Sequence, residues 1–439
     1  MNSVIRSATS CLLLLAAAGC GTGSTGRTVA PGPFEPWAEP INDALEVGES
    51  AFDGEFSRGI TTLQPFEERV WIGYGDANRN IGSEIPVDFR WFESPDDPIA
   101  RTADVLAAGQ GARQRTPSDT GEEQLEPYRV IGGTLWQPGV DSNNPDEAWT
   151  QTKAGTWRTV DGERVQTKLI DGNVFKLEAD EDGTPVWRKF RNVPGGEHVH
   201  DLAEFDGAIY AVGSGADYRF EFGNGKVFRY LWRSDDGGRT FDTVVRIEVP
   251  DVGYDTRFRR LLATGDRLYV LGYLNPFQIE GEIEGRSIIV THEDGVIVRE
   301  ALEGPLSTML PLRTFYVPGH DWGLVVAREG RRGPEHVFRA DEDGVVELEG
   351  WQGHRVLELQ VLDAGSTILV LAGSGRPATE EEVETFQLLA GRVADPNALS
   401  PVAPIEGVVP RSLAVFGDSI LLGTDDGRVF KASLDASGP

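Results

Sequence analysis

Between residues 60 and 425 the apolar positions fall into short runs, and the runs come in pairs. "LAEF-DG-AIYAVG" (202–213), "LLAT-GD-RLYVLG" (261–272), "LAVF-GD-SILLG" (413–423) and "YRVI-GG-TLWQPG" (128–139) each join two apolar strands through a two-residue turn of Gly or Asp. That is the pattern of a β-hairpin. "TLQPF-EE-RVWIGYG", "RTFYV-PGHD-WGLVV" and "LQVL-DAGS-TILVL" repeat it with altered turns, which makes seven hairpins. A second motif follows several of them: "VFRYLWRSDDGG" (227–238), "VFKLEADEDG" (174–183), "SIIVTHEDG" (287–295) and "HVFRADEDG" (336–344) run a strand into an acidic turn closed by glycine. The glycines, Gly183, Gly238, Gly295 and Gly344, are spaced by 55, 57 and 49 residues.

Four strands per repeat of this length is the period of a propeller blade. A lone four-stranded sheet cannot bury both faces, whereas blades set radially bury each face on the next, which accounts for strands apolar on both sides. The sequence therefore predicts an all-β fold, a β-propeller of seven four-stranded blades, with six and eight as the neighbouring counts. The last unit stops at "GRVFKASLDASGP" without an outer strand. An N-terminal strand is expected to close the ring, and "SAFDGEF" (50–56) is placed to supply it. The propeller is read as residues 49–439, interrupted by insertions at 96–124, polar and loop-like, and at 141–171, where Trp149 and Trp157 suggest an extra hairpin.

One acidic turn is more complete than the rest. In "WRSDDGGRTF" (232–241), Ser234, Asp236, Gly238, Thr240 and Phe241 match S-x-D-x-G-x-T-W/F. Asp236 can accept backbone N–H groups within the turn, Gly238 can take a positive φ, and Phe241 can pack beneath. The stretch resembles the Asp box, or BNR repeat, of sialidases and many other β-propellers. The resemblance implies a structural turn between the third and fourth strands, at the periphery and away from any catalytic centre. "ADEDGTPV", "THEDGVIV" and "ADEDGVVE" are reduced copies. Propellers host enzymes, receptors and scaffolds alike, so the resemblance assigns no activity.

The N-terminus does not belong to this pattern. Arg6, the apolar "CLLLLAAA" and "AAGC" ending at Cys20 resemble a bacterial lipoprotein signal, with residues 1–19 removed and Cys20 lipidated; ordinary secretory cleavage near Ala18 is the alternative. Residues 20–48, rich in Gly, Ser and Pro, read as a flexible tether. Cys11 and Cys20 are the two cysteines, so after processing no disulfide or cysteine metal site is expected. The lipid implies the cell envelope, with the outer membrane as the expected address. A formal charge of −29 makes nucleic acid the least suitable partner.

Candidate chemistry lies where the inner strands open onto the axial channel. Arg129, His198, His200, Arg257, Arg259, Arg313, Arg355 and Arg411 occur at or near the starts of these strands. Counted back from the hairpin turn, His200, Arg259 and Arg411 are equivalent, and His198, Arg257 and Arg355 precede that position by two. Such a ring would focus positive potential on a carboxylate, sulfate or phosphate; the competing reading is that the arginines pair with Asp201, Asp255 or Glu358 and knit the blades together. His198 and His200 alone are too few for a metal, and the acidic turns lack the ordered spacing of a calcium loop. No metal and no cofactor are expected. "VWIGYGDANRNIG" (70–82) and the Trp-bearing insertion are expected to shape a binding face, with packing between blades as the equal alternative.

Two functions remain. One is a lipid-anchored, non-enzymatic binding or scaffold module for a glycan or envelope protein. The other is an enzyme on an acidic glycan, sialidase-like or a polysaccharide lyase, with Arg259, Arg313 and Arg411 clamping the substrate carboxylate. The R-I-P motif of sialidases is missing, and "YRVI" is a faint echo of it. No G-x-S-x-G, H-E-x-x-H, phosphate-binding loop or dinucleotide fingerprint is present.

Overall fold

The computed structural model describes residues 31–44, 59–75, 87–108, 120–140, 149–150, 157–160, 163–166, 169–218, 221, 226–248, 257–273, 287–293, 296–330, 333–362, 366–375 and 384–434. It is a seven-bladed β-propeller. The innermost strands of blades one to seven are Ile60–Phe66, Arg129–Ile131, His198–Phe205, Arg257–Thr264, Leu310–Tyr316, Arg355–Leu362 and Pro410–Phe416. Each turns back through a hairpin into a second strand, then outward through a third and a fourth. Tight turns are possible because Asp206 and Gly207 (φ 48° and 71°) and Gly132 and Gly133 (57° and 71°) all take left-handed backbone, as the twist of a two-residue hairpin requires. The face where inner strands begin is called here the upper mouth, and the face of these hairpin turns the lower.

The apolar cores lie between blades, as two-sided strands demand. Separate clusters join blades two and three around Trp136 and Trp232, three and four around Phe258 and Leu268, and four and five around Tyr269 and Phe338. Others join five and six around Trp322 and Trp351, and six and seven around Phe386 and Phe430. Blade one is packed on both sides by one cluster, with Ala414 and Phe416 of blade seven on one flank and Phe175 and Trp187 of blade two on the other. Trp71 and Tyr74 are buried in that cluster, and Trp71 meets the Trp187 ring edge-on at 5.2 Å. Those two aromatics thus pack between blades instead of forming a binding face. Of the rest of that stretch, 76–82 lies outside the described residues.

Closure uses an N-terminal strand, but not the expected one. Glu35–Ala38 pairs antiparallel with Val429–Ser433 and becomes the outer strand of blade seven. The segment 50–56 lies outside the described residues, apart from which the stretch read as tether is built into the fold from residue 31 to 44. After the strand the chain crosses to blade one, where Ile41 is fully buried and Arg90 binds Asp43 through two nitrogens and the Pro40 carbonyl at 2.8 Å. One short segment thus clamps the last blade to the first.

The first insertion is not simply a loop. It contributes the outer strand of blade one, Arg101–Thr102, and Asp104–Ala108, which adds in parallel to Pro185–Pro194 at the edge of blade two. Val105 is buried there; a strand of five residues with one anchoring side chain leaves little periodic trace. The second insertion forms the extra hairpin, Trp157–Val160 with Glu163–Gln166, and Trp149–Thr150 pairs with Leu169–Ile170. Signal residues 1–19 and Cys20 lie outside the described residues. Among the described residues no helix is long and apolar enough to cross a membrane.

Candidate functional site

In six of the seven blades the inner strand carries a β-bulge at the same place. The extra residue is Thr61, His200, Arg259, Leu312, Leu357 or Arg411, for blades one, three, four, five, six and seven. A bulge sets two residues against one on the partner strand and re-aims a side chain. Residues that sequence counting makes equivalent, His200, Arg259 and Arg411, are thus the bulged ones.

The residue at or just after the bulge has a different task, which the sequence did not reveal. Asp201 accepts the Leu261 amide of blade four at 3.0 Å. Arg260 donates to the Leu312 carbonyl of blade five at 2.9 Å, and Arg313 to the Val356 carbonyl of blade six at 3.5 Å. In blade six the stitch comes from Gln360, three residues past the bulge, which donates to the Leu413 carbonyl of blade seven at 3.2 Å, and Ser412 donates to the Ile60 carbonyl of blade one at 2.8 Å. The inner strands of blades three to seven are thereby each stitched to the next around the ring, and all five bonds satisfy backbone groups.

Arg129 is the longest stitch. From blade two it binds both oxygens of fully buried Asp201, Nε at 2.7 Å and an Nη at 2.9 Å. It then passes blade four to donate to Thr314 of blade five, at 2.9 Å to Oγ1. Arg355 also has company, with Glu384 at 2.8 Å and Glu335 at 3.8 Å. For Arg129, Arg313 and Arg355, then, the structure shows contacts that knit blades. Arg257 and Arg259 lie beside His200 and are linked to it electrostatically, as is His198, whose ring centroid is 5.7 Å from that of His200. Arg411 sits with Asp425, Arg355 and Arg313.

These strands enclose an axial cavity of about 830 Å³, lined among others by Arg129, Arg259, Arg260, Arg313, Arg355 and Glu358. Its electrostatics show a surplus of positive charge. Burial, and then the neighbouring Arg259, lower the Arg260 guanidinium to about 10. Burial followed by Arg355 lowers Arg411. Burial followed by Arg257 pushes His200 well below the usual imidazole range. Both effects oppose a charged form, and an anion bound beside these groups would offset the repulsion among them. Among the described residues no group of three or more His, Cys, Asp or Glu is arranged to hold a metal ion.

Glu358 is one of four glutamates that line the cavity, with Glu126, Glu204 and Glu335. Burial raises its carboxyl to about 7 from 4.5, against the opposing pull of Arg313, while its Oε1 accepts the Leu359 amide at 3.0 Å. A carboxyl whose folded pKa exceeds its unfolded one binds its proton more tightly in the native state, so stability falls as pH rises from about 4.5 to about 7. Glu358→Gln is expected to match wild type at pH 4.5 and to be more stable above pH 7.5, by up to about 3 kcal/mol. Thermal melts of both proteins from pH 4.5 to 8.5 measure the gap, and a constant gap would remove the assignment.

The turn after the third strand of blade three is built as its residues dictate. Asp236 Oδ1 accepts the amides of Arg239 and Thr240 at 3.0 and 2.9 Å, and Oδ2 the Thr240 hydroxyl at 2.7 Å. Ser234 Oγ donates to Asp236 and accepts the Gly238 amide, both at 2.8 Å. Gly238 has φ 82°, and a Cβ there would meet the Trp136 ring of blade two at 2.5 Å. Phe241 is buried below. The turn joins blades at the rim, away from the axial cavity.

No family model and no curated protein matches the chain. Among solved structures it is similar to the Niastella koreensis GH74 enzyme, at 10% identity and TM-score 0.51, over 93% of this chain and 55% of that one. It is also similar to a catalytically inactive virginiamycin B lyase from Staphylococcus aureus, at 13% identity and TM-score 0.39 over 86% and 95% of the two chains. The WD40 domain of Neurospora crassa Pan2 gives 10% identity and TM-score 0.44 over 94% and 98%. Such likeness concerns the propeller fold alone.

Proposed function

We propose that this chain is an extracytoplasmic binding module, held to a membrane by a lipid on Cys20, whose upper mouth takes an anionic group of a glycan or protein partner without transforming it. The observation that carries the reading is the axial cavity, lined by six arginines, Arg129, Arg259, Arg260, Arg313, Arg328 and Arg355, against four glutamates, with Arg260 depressed by burial and by Arg259. Rigidity supports it: seven interlocked blades hold these groups in place before a ligand arrives, so little ordering cost opposes binding.

An enzyme on an acidic glycan is the second reading, and Glu358, raised to about 7, is the group that favours it. Against it, Arg313 donates to a backbone carbonyl of the next blade. Tyr128, which lines the cavity, spends its hydroxyl on the Ile72 carbonyl at 3.0 Å and is raised well above its usual range by burial. A hydroxyl so placed is a poor nucleophile.

The test is to offer the purified protein fluorogenic sialosides, uronic-acid polysaccharides and their neutral counterparts, and to measure both retention and turnover. Retention of acidic chains, weakened about tenfold or more in Arg259→Gln/Arg411→Gln by loss of charge-assisted hydrogen bonds, without turnover, is the expected result. Turnover abolished by Glu358→Gln would instead establish the enzyme. Equal retention of acidic and neutral glycans would overturn anion recognition.

A further inference from the structure

In blades three, four, five and seven the residue that follows the bulge bonds the next blade, through Asp201, Arg260, Arg313 and Ser412. Blade six breaks this row. Its residue there, Glu358, turns Oε1 back to the amide of its own neighbour Leu359 at 3.0 Å, and Gln360 makes the bond to blade seven instead. The other oxygen of Glu358 accepts no hydrogen bond among the described residues, and the side chain stands on the wall of the axial cavity.

Arg313 of blade five lines the same cavity and is held by a single long hydrogen bond, to the Val356 carbonyl at 3.5 Å. That bond leaves its other N–H groups without a protein acceptor among the described residues. Arg313 attracts Glu358 without closing into an ion pair with it. The remaining charged groups that act on Glu358 are Arg129 in blade two, already bound to Asp201, and Glu126 just before it, which repels. A guanidinium and a carboxyl with donors and acceptors to spare thus lie side by side on adjacent blades.

We propose that Arg313 and Glu358 together form the seat of the anionic group, that this group is a carboxylate, and that it enters as Glu358 becomes neutral. The inference rests on the anion-binding reading above and names the class and the regulation of its ligand. With Glu358 ionised, ligand and wall would set two carboxylates against one guanidinium in a site partly out of water, and like charges so placed do not both persist. With Glu358 protonated, the site offers donors only, the guanidinium fork and one O–H. A carboxylate is a base of the same kind as the one that holds the Glu358 proton, so the O–H···O⁻ bond between them is short and charge-assisted. A sulfate ester is a far weaker base and gains little from that O–H. One proton passes from solvent to Glu358 as the ligand binds and returns when it leaves. Because burial already raises this carboxyl to about 7, affinity is full below about pH 6 and falls about tenfold per pH unit above about 7.

The experiment is calorimetric titration of the purified protein at pH 6, 7 and 8.5 with glucuronate, glucose 6-sulfate and glucose, the pH 7 runs repeated in two buffers of different ionisation heat. At pH 6, glucuronate is expected to bind about tenfold or more tighter than the sulfate. Its affinity is expected to fall about tenfold or more by pH 8.5, with uptake of about half a proton per ligand at pH 7. Glu358→Gln, uncharged at every pH, is expected to bind glucuronate at pH 8.5 about tenfold or more tighter than wild type, with no proton uptake. Glucuronate affinity equal at pH 6 and 8.5, binding at pH 7 without proton uptake, or sulfate bound as tightly as glucuronate overturns this proposal and leaves anion binding standing. Binding of neither anion, or glucose bound as tightly as glucuronate, overturns both. Each of these outcomes is read on the wild-type protein, so a variant that fails to fold does not shield the proposal.

Discussion

Asp201→Ala is expected to lower the free energy of unfolding by about 3–5 kcal/mol, the cost of leaving a buried charge without its partner. The carboxylate lies on blade three, fully buried, and accepts the Leu202 and Leu261 amides together with both hydrogen bonds of Arg129. Its removal strands a guanidinium from blade two in the channel and frees an amide of blade four. Arg129→Ala is expected to cost less, because Asp201 keeps its two amide donors. The double variant is expected to recover part of the Asp201→Ala loss, as coupled partners do. Urea denaturation of the three variants supplies the cycle. A loss below about 1 kcal/mol for Asp201→Ala would mean that water satisfies the arginine and that the stitch is decorative.

The second large effect is expected at the ring closure. Removal of residues 1–44 takes away the strand Glu35–Ala38, the buried Ile41, and the Asp43 carboxylate and Pro40 carbonyl that bind Arg90, leaving it Asp88 at 3.4 Å. An isoleucine lost from a core costs about 2–5 kcal/mol, and the loss of a charged hydrogen-bond partner from a buried arginine about 1.5–3. Against a total stability of about 5–15 kcal/mol, that is enough to abolish a cooperative transition. The exposed edge of Val429–Ser433 would also favour association between copies. The truncated chain is therefore expected to melt without cooperativity or to precipitate. A synthetic peptide of residues 31–44, added in excess, should restore a melting transition. A truncated chain that melts like the full one would show that the ring closes without its clamp.

Blade count and hairpin positions were legible because period-two apolar runs and two-residue turns are local signals. Glu35–Ala38 was not, because "EPWA" is short, contains proline and shows no alternation; its pairing with Val429–Ser433 comes from nearly four hundred residues away. At the candidate site, counting from the turn aligned His200, Arg259 and Arg411 correctly. It could not show that a bulge reverses the strand's faces there, which is what turns Asp201, Arg260 and Ser412 toward the neighbouring blade. Arg129 and Arg313 look alike in sequence to Arg259, and their commitment to Asp201, Thr314 and Val356 depends on residues brought together by ring closure. The bonds of the Ser234–Phe241 turn centred on Ser234 and Asp236 are local and so were readable, whereas the hydrogen bonds from Asn192 to the Gly238 and Arg239 carbonyls and the packing on Trp136 come from blade two and were not.

The way the first strand joins the last blade also fixes an orientation. The Gly32 amide bonds the Ser433 carbonyl, and the Leu434 amide bonds Asp418 in the blade-seven hairpin turn, so the chain enters the propeller at the lower mouth. Twelve residues separate Gly32 from Cys20, a span of at most about 40 Å when fully extended. With acyl chains on Cys20, as proposed, the hairpin turns would look toward the bilayer and the bulged His200, Arg259 and Arg411 toward the space beyond it. Such an attachment would favour the hairpin-turn face toward the membrane and leave the cationic opening as the side that meets arriving molecules.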